Sequence, residues 1–326
     1  MERSSKLIAI LLALIIIASS GVYVAYKYGY HPEIKKGVEL NLDSNVSGIK
    51  FNKIISLDPS VTATLYAIGS INDVDGIYSY PGLWPGNNIT GNIQAVGAYP
   101  SMDVQQILNI SPQAVISFSD YKQSQINELL NAGIDYIFLS SDSNTSFNIM
   151  KQQNTFLGEI TGNEKNATLL NNWMNESLNI FNNLNVTNKT AFYSLCVYDG
   201  KSYTAGNNTF VSSMMKYAHL IDVANGSGFY QPSNEKITKY NPDVLILGNS
   251  FYLSDLNQTP YKTLNAVKNK IYYQEPFNNI FSEPNFRDIY GIQWMIYNVF
   301  NKNVTIPQFP INLRDSPEPG DYSENN

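Results

Sequence analysis

The sequence predicts an α/β protein of two lobes, each a mostly parallel sheet flanked by helices, joined by one long helix. Residues 163–184 carry apolar side chains at spacings of three and four, with neither Gly nor Pro, which predicts an uninterrupted amphipathic helix. A second observation is a pattern that occurs on both sides of this helix, at residues 105–118 and 235–248. We therefore expect two related lobes and assign residues 161–186 to the helix between them.

The repeated pattern is a short amphipathic helix, a proline and an apolar run rich in β-branched residues. Proline ends a helix because it lacks an N–H group and disfavours the α conformation at the preceding residue. The run that follows is apolar throughout, as expected of a strand buried on both faces. The two copies align without a gap, and the matched positions are Ile107 with Ile237, Pro112 with Pro242, and Ile116 with Ile246.

Strands and helices alternate in the first lobe, which we place at residues 50–160. The predicted strands cover residues 53–57, 73–78, 114–118 and 135–139, and the predicted helices cover 61–68, 102–110 and 123–132. Thr161 and Glu164 have the spacing of a capping box at the start of the linking helix.

The second lobe, residues 187–312, shows the same alternation. Its predicted strands are 190–197, 244–247 and 270–274, and its predicted helices are 210–219, 261–268 and 285–300. Alternation of this kind is typical of Rossmann-like lobes with a mostly parallel sheet. The remaining residues, 313–326, are rich in Pro, Gly and acidic residues and are predicted to be disordered.

The N-terminus predicts export. Residues 1–26 combine a basic start, an apolar run and small residues around Ala18, which fits either a cleaved signal peptide or a retained membrane-spanning anchor. Residues 27–49 are polar and patternless and are interpreted as a tether. We therefore expect the protein at the extracellular face of the membrane, anchored by its N-terminal helix or released after cleavage.

Composition excludes some functions and favours a glycosylated surface. The net charge is −6, and the arginines are Arg3, Arg287 and Arg314, so no basic field is present to attract nucleic acid. The single cysteine, Cys196, lies inside an apolar run and is interpreted as a buried hydrophobe, so no lipid-bearing cysteine follows the signal. Together with the many sequons, this suggests an archaeal cell surface. The candidate glycosylation sites are Asn45, Asn88, Asn144, Asn166, Asn175, Asn185, Asn188, Asn207, Asn225 and Asn303.

The sequence contains no persuasive catalytic or metal-binding constellation. The two histidines, His31 and His219, are far apart and no cysteine cluster is present, so neither a bound metal ion nor a cofactor is expected. Asp58, Asp120 and Asp199 follow predicted strands, where catalytic groups often lie, although helix caps and turns explain them more simply. A hydrolase that uses such carboxylates is retained as the weakest alternative.

Aromatic residues, in contrast, gather after the predicted strands. In open α/β sheets the loops at the carboxyl ends of the strands line the ligand crevice, and aromatic rings there provide broad contact surfaces. Arg287 and Lys201 are candidates to hold an anionic ligand. The aromatic candidates for ligand contact are Tyr78, Tyr80, Trp84, Tyr99, Tyr121, Tyr198, Tyr203 and Tyr230.

Several of these stretches resemble the ABC-importer solute-binding proteins for cobalamin, haem and iron-siderophores. The similar segments are KIISLDPSVTATLYAIG at residues 53–69, Val96-Gly97 with residues 102–116, Thr204-Ala-Gly206, residues 235–247, and residues 266–272. The resemblance covers about residues 51–305. It implies two lobes joined rigidly by one long helix, a bulky metal chelate bound between them, and delivery of that ligand to an ABC permease with its ATPase.

The resemblance also implies one carboxylate on each lobe that contacts arginines of the permease, because charge-assisted Arg–carboxylate pairs are strong. Glu235 occupies this position on the second lobe. On the first lobe the position falls on Gln105, which carries no charge, with Asp103 two residues earlier as a substitute. The first-lobe docking residue therefore stays open between Gln105 and Asp103.

The sequence thus favours a monomeric extracellular receptor that captures an iron-siderophore or cobalamin and performs no chemistry. The alternative from a different class is a surface glycoprotein of the same fold that acts in adhesion or scaffolding. The sequence does not choose between the two chelates, because a lone Arg287 suits an anionic siderophore and an aromatic, weakly charged cleft suits cobalamin.

Overall fold

The computed structural model describes residues 37–79, 84–139, 145–277 and 280–319. The N-terminal lobe contains a six-stranded sheet in the order β1-β8-β7-β2-β3-β4, with parallel pairing throughout. β5 and β6 pair separately as a hairpin. The strands of this lobe are β1 (Glu39–Leu40), β2 (Ile54–Ser56), β3 (Val74–Ile77), β4 (Gln94–Ala95), β5 (Gly97–Ala98), β6 (Ser101–Met102), β7 (Ala114–Ser117) and β8 (Asp135–Phe138). Its helices are α1 (Pro59–Ala67), α2 (Asn87–Thr90), α3 (Val104–Ile110) and α4 (Gln123–Asn131), with a 3₁₀ turn at Ile71–Asp73.

Two packed helices, rather than one, lead from the first lobe to the second. They are α5 (Phe147–Thr161) and α6 (Glu164–Asn182). Gly158 permits their close approach, because a Cβ atom there would lie 2.6 Å from the Cβ of Ala167. The long helix predicted at residues 163–184 is thus present as α6, with shorter bounds than the assigned 161–186, and α5, which precedes it, was not predicted.

The predicted capping box is also absent. Thr161 is the last residue of α5, and its hydroxyl donates to the carbonyl of Leu157 at 2.7 Å. Gly162 then takes a left-handed φ of 74°, which ends α5. Asn163 occupies the N-cap position of α6 without a side-chain capping bond.

The C-terminal lobe contains a four-stranded parallel sheet in the order β12-β9-β14-β15 and an antiparallel sheet in the order β10-β11-β13. Its strands are β9 (Lys189–Ser194), β10 (Cys196–Tyr198), β11 (Lys201–Ala205), β12 (Leu220–Asp222), β13 (Phe229–Tyr230), β14 (Val244–Leu247) and β15 (Tyr272–Gln274). Its helices are α7 (Phe210–Tyr217), α8 (Asn234–Tyr240), α9 (Asn265–Lys268) and α10 (Asp288–Phe300), with 3₁₀ turns at Leu253–Asn257 and Tyr261–Thr263. The two-lobed α/β fold predicted from the sequence is confirmed.

The two lobes repeat the same strand order. Reading β8-β7-β2-β3 in the first lobe against β15-β14-β9-β12 in the second places equivalent strands side by side. The repeated motif is α3-β7 in one lobe and α8-β14 in the other, and each helix ends at a left-handed residue, Ser111 or Asn241, directly before a proline. The repeat found in the sequence is thus a repeat of structure.

Alternating side chains of the central strands enter different apolar clusters. Ile54, Ile116 and Ile246 belong to one large cluster that extends through α1, α5, α6 and α10 and contains core residues of both lobes. Their neighbours Ile55 and Leu245 belong to separate clusters, one for each lobe. Both faces of each sheet are therefore buried, which explains the wholly apolar strand sequences. One continuous core joins the lobes.

The structure differs from the predicted ends of the folded body. β1 pairs with β8, and Leu40 and Val46 are buried, so residues 37–49 belong to the first lobe rather than to a tether. Residues 313–319 were predicted to be disordered but pack on the folded body. Leu313 packs against the large apolar cluster, and the Asp315 carboxylate accepts the N–H of Gly86. The predicted signal or anchor at 1–26, the rest of the tether and residues 320–326 lie outside the described residues. Among the described helices, none is sufficiently long and apolar to cross a membrane.

Candidate functional site

The carboxyl end of the N-terminal sheet is organised around Asp58. Its carboxylate accepts hydrogen bonds from the Ser117 hydroxyl at 2.9 Å, the Phe118 N–H at 2.8 Å and the Ser119 hydroxyl at 2.7 Å. Asp58 therefore fastens the loop after β2 to the loop after β7. Burial raises the pKa of this carboxyl, and the hydrogen bonds oppose that effect.

Tyr78, at the end of β3, lies close to this network. Its side chain is only 3% exposed, and burial raises the pKa of its hydroxyl, with a further contribution from the negative charges of Glu283 and Asp58. Glu283 belongs to the segment before α10 in the second lobe. Tyr78 therefore lies where the two lobes approach each other, inside the junction rather than on its surface.

Tyr99 and Tyr121 form the exposed aromatic part of the first lobe. Tyr99 lies between β5 and β6 and is 53% exposed, whereas Tyr121, after β7, is buried. Their ring centroids are 6.0 Å apart in an edge-to-face arrangement. The buried Tyr121 ring thus packs against the exposed Tyr99 ring and supports it. Tyr80 lies outside the described residues.

The carboxyl end of the C-terminal sheet is held by hydroxyl groups. The Ser194 hydroxyl, at the end of β9, lies 2.9 Å from the Ser202 hydroxyl and 2.6 Å from the Tyr261 hydroxyl. All three side chains are buried. Burial raises the pKa of Tyr261 to about 12, so the network is neutral at physiological pH.

Glu275 is a buried acid at the same end of the C-terminal sheet. It follows β15 and is 3% exposed. Its Oε1 atom accepts the N–H of Asn249 at 3.2 Å, while its Oε2 atom is buried without a hydrogen-bond partner. Burial raises the pKa of Glu275 to about 8, so this side chain is mostly a neutral acid at pH 7.

Two tyrosines protrude from the carboxyl-end loops of the second lobe. Tyr198, in the β10–β11 hairpin, and Tyr252, in the loop after β14, are each 73% exposed. Sequence reasoning missed Tyr252, although its position after a strand is the signal that selected the other tyrosines. Tyr203 stacks on Phe229 with centroids 6.4 Å apart. The rings therefore form two groups: Tyr198 and Tyr252 protrude into solvent, whereas Tyr203 is packed against a neighbouring ring.

Tyr230 belongs to the packed group. Its hydroxyl accepts the N–H of Gly226 at 3.0 Å. Its ring covers the glycine so closely that a Cβ atom at Gly226 would lie 2.4 Å from the ring. Tyr230 therefore shapes the loops behind the protruding tyrosines.

Trp84 and Arg287 come together at the lobe junction. The Arg287 guanidinium carbon lies 4.9 Å from the centre of the Trp84 ring, a cation–π contact. Arg287 is 6% exposed, and its Nε–H donates to the carbonyl of Pro317 at 3.0 Å. The Trp84 indole N–H donates to the carbonyl of Ser316 at 2.8 Å. Both predicted ligand contacts thus bind the C-terminal segment.

The predicted docking residues lie at the starts of the repeated helices. Asp103 caps α3 by accepting the N–H of Gln106 at 3.0 Å, and Ser233 has the equivalent role in α8. Gln105 therefore matches Glu235 in structure as well as in sequence. The Gln105 amide donates to the carboxylate of Glu128 on α4 at 3.0 Å. The packing of α3 on α4 thus brings a carboxylate next to Gln105, which the sequence pattern alone does not reveal.

Most candidate glycosylation sites are exposed. Asn166 is half-buried, and its amide donates to the carbonyl of Ile68 at 2.9 Å. Asn144 lies outside the described residues. Glycosylation stays a prediction for the exposed acceptors Asn45, Asn88, Asn175, Asn185, Asn188, Asn207, Asn225 and Asn303.

A polar groove of about 750 Å³ lies between the start of α5 and the edge strand β12. Asn, Ser and Thr dominate its lining, which includes no Phe, Tyr or Trp, so it offers no flat aromatic contact. The described residues also contain no cluster of three or more His, Cys, Asp or Glu side chains suited to a metal ion.

Comparison with known proteins places the chain in a family. Residues 54–276 match the periplasmic binding protein family, and the chain belongs to it. A cobalamin-binding protein of Halobacterium salinarum is 23% identical over 260 residues, which cover 76% of this chain and 69% of that protein. An ABC transporter substrate-binding lipoprotein of Bacillus subtilis, YvrC, is 26% identical over 238 residues, which cover 69% of this chain and 73% of that protein.

The fold is shared with a solved structure. A periplasmic binding protein from Veillonella parvula superposes with a TM-score of 0.68 at 15% identity, over 79% of this chain and 94% of that one. This similarity concerns the fold, and it agrees with the two-lobed architecture described above.

Proposed function

We propose that the protein is the extracellular receptor of an ABC importer and captures a bulky, nearly uncharged metal chelate of the cobalamin type between its lobes. The observation that carries the proposal is the distribution of aromatic side chains. Tyr99 on one lobe and Tyr198 and Tyr252 on the other protrude from loops at the carboxyl ends of the sheets. In open α/β folds these loops border the ligand crevice.

Charge favours a neutral ligand over an anionic siderophore. Arg287, the cation expected to hold an anion, is buried against Trp84 and bonded to Pro317. Lys122 and Lys201 are exposed, one on each lobe. A macrocycle held by ring contacts fits this surface better than a ligand that needs several charge-assisted bonds. The name of the Halobacterium relative supports the same choice.

The geometry gives little support to hydrolysis. Asp58 is buried and already accepts three hydrogen bonds, so its carboxylate lacks the access to substrate that a general base needs. Membership of a binding-protein family agrees with capture without chemistry.

For delivery, we propose that Glu128 and Glu235 contact the permease. Both are exposed, and they lie on equivalent faces because Gln105, which holds Glu128, matches Glu235 in the repeat. Glu128→Gln and Glu235→Gln should each reduce ligand uptake by cells without changing ligand affinity. Glu176→Gln on α6, also exposed, is the matched control. Normal uptake by the double variant would contradict this assignment.

The binding surface itself is tested by removing rings. Tyr99→Ala, Tyr198→Ala and Tyr252→Ala should each weaken cobalamin binding about tenfold, the loss expected for one aromatic contact of about 1.4 kcal/mol. Tyr297→Ala is the control, because Tyr297 is 43% exposed but lies on α10, away from these loops. Unchanged affinity in the triple variant, measured by equilibrium dialysis, would reject this surface.

A further inference from the structure

The last described segment of the chain crosses from one lobe to the other. We call residues 306–318 the C-terminal strap. Its first part packs on the linking helix, where the Trp173 indole N–H donates to the carbonyl of Pro307 at 2.8 Å. The Phe309 ring lies edge-to-face with Trp173 at 5.2 Å and tilted against Phe286 at 5.5 Å. This part of the strap belongs to the shared core.

The second part of the strap bonds to the N-terminal lobe through three contacts. The Asp315 N–H donates to the Tyr66 hydroxyl at 2.7 Å, and the Asp315 carboxylate accepts the N–H of Gly86 at 2.8 Å. The carbonyl of the next residue, Ser316, accepts the Trp84 indole N–H. Tyr66 lies on α1, and Gly86 precedes α2, so all three partners belong to the first lobe.

One residue later the strap bonds to the second lobe. The Pro317 carbonyl accepts the Nε–H of Arg287, which immediately precedes α10. Arg287 in turn packs over Trp84, whose ring also contacts Phe286 at 5.7 Å and Tyr66 at 5.3 Å. Bonds to both lobes therefore lie within three consecutive strap residues. A segment that bonds to both lobes over so short a span restricts their relative motion.

We infer that the C-terminal strap is a second connection between the lobes, which fixes the opening of the cleft and slows the escape of bound solute. The linking helices α5 and α6 join the lobes through the chain itself, and the strap, which packs on α6, adds hydrogen bonds to both lobes through Asp315, Ser316 and Pro317. These added bonds must break or stretch when one lobe rotates against the other, so they oppose that rotation. The effect on solute rests on the function proposed above, whereas the effect on lobe motion does not.

The strap is tested with two truncated chains. Ending the chain after Ile311 removes the bonds to Tyr66, Trp84 and Arg287 but keeps Pro307 and Phe309 in the core. Ending it after residue 319 keeps the whole strap and is the matched control. Distances are measured by double electron–electron resonance between spin labels at Asn131 and Lys268, which are exposed on different lobes, in a Cys196→Ser background.

If the strap restricts lobe motion, the full chain and the control should each give one narrow distance distribution, and the chain ending at residue 311 should give a broader one. A synthetic peptide of residues 312–319 should narrow it again, whereas the same peptide with Asp315→Ala should be less effective. Equal distributions for all three chains, with circular dichroism showing that each is folded, would overturn the inference.

Conservative variants of the full chain give a second readout. Tyr66→Phe keeps the ring and removes one strap hydrogen bond, whereas Trp84→Phe removes the indole N–H and leaves a smaller aromatic ring, so each should weaken strap docking at least about fivefold. Cobalamin should dissociate faster from both variants and from the chain ending at 311. If the distances broaden but no chain binds cobalamin, the proposed ligand is wrong while the strap stands. If dissociation is unchanged despite broadening, the claimed effect on solute is rejected.

Discussion

The two lobes share four equivalent strands and differ in how they stabilise the carboxyl ends of those strands. In the N-terminal lobe the buried Asp58 is bonded by Ser117, Phe118 and Ser119. In the C-terminal lobe the same region holds the neutral hydroxyls of Ser194, Ser202 and Tyr261, and the buried acid Glu275 follows β15 at the same end of the sheet.

This difference shows that two lobes of the same fold can accommodate a buried carboxyl group in two ways, by hydrogen bonding or by protonation. Asp58 has enough donors to offset part of the cost of burial, whereas Glu275 has one donor and one buried oxygen without a partner. Glu275 therefore avoids the cost of a buried charge by staying protonated. The stability of the first lobe should therefore depend on the hydrogen bonds to Asp58, and the stability of the second lobe should depend on pH.

The largest expected effect is the pH dependence that Glu275 contributes. Its pKa is raised from 4.5 to about 8, so the folded protein holds a proton that the unfolded chain releases. The stabilisation is complete below pH 4.5 and is lost as the pH rises through 8, by on the order of 5 kcal/mol. Urea unfolding of wild type and Glu275→Gln across this range measures the difference.

Glu275→Gln should remove this slope, so that the variant is more stable than wild type at pH 8.5. Glu235→Gln, at an exposed position of the same lobe, should keep the wild-type slope. Parallel pH profiles for wild type and Glu275→Gln would show that Glu275 ionises normally and that the contrast between the lobes is mistaken.

Removing Asp58 should destabilise the protein by about 3 kcal/mol, because three donors, two of them buried, lose their acceptor at once. Asp58→Ala is compared with Ser119→Ala, which removes a single bond and should cost about 1 kcal/mol. Chemical unfolding at pH 7 measures both. Similar small losses in the two variants would mean that Asp58 is not the centre of this network.

The neutral network of the second lobe should be worth less than the Asp58 network. Tyr261→Phe removes the hydroxyl that lies 2.6 Å from Ser194 and leaves the ring in the core. We expect a loss of about 1.5 kcal/mol in the free energy of unfolding. A loss larger than that of Asp58→Ala would reverse the order of the two lobes.

The smallest effects concern the amino ends of the parallel strands. There the residue that follows the proline of the repeated motif forms hydrogen bonds at the start of β2 in the first lobe or β9 in the second. Gln113 accepts the N–H of Asn52, whereas Asp243 accepts both the N–H and the hydroxyl of Thr190. Asp243→Ala should therefore cost about 1 kcal/mol and Gln113→Ala about half as much. The Thr190 bonds lower the pKa of Asp243, so its contribution is present at neutral pH and is lost on acidification.

Much of the fold could be predicted because strands that are buried on both faces are apolar throughout, and this pattern is visible in the sequence. The strand Val244–Leu247 was predicted with the bounds that the structure shows. Helix α5 was missed because its buried face includes the polar residues Gln153 and Asn154, which interrupt the apolar stripe. Asn154 is accommodated by a bond to Asn171 on α6, a partner that the local pattern does not reveal.

The candidate site was predictable only in part. Aromatic residues after strands could be found from the sequence, but protruding Tyr99 and Tyr198 could not be separated from buried Tyr78 and Tyr121. Burial there depends on which loops pack together. Arg287 is a sequence-predicted candidate to hold an anionic ligand, yet its partners Trp84 and Pro317 come from a distant loop and from the C-terminal strap.

The measurement that tests the central claim most directly is a calorimetric titration of the folded protein with cobalamin, haem and a ferric tris-catecholate siderophore. We predict one-to-one binding of cobalamin and weaker binding of the anionic chelates. At one hundred times the dissociation constant, cobalamin should also stabilise the fold by about 2.7 kcal/mol. No binding of any of the three by a folded protein would contradict the receptor assignment.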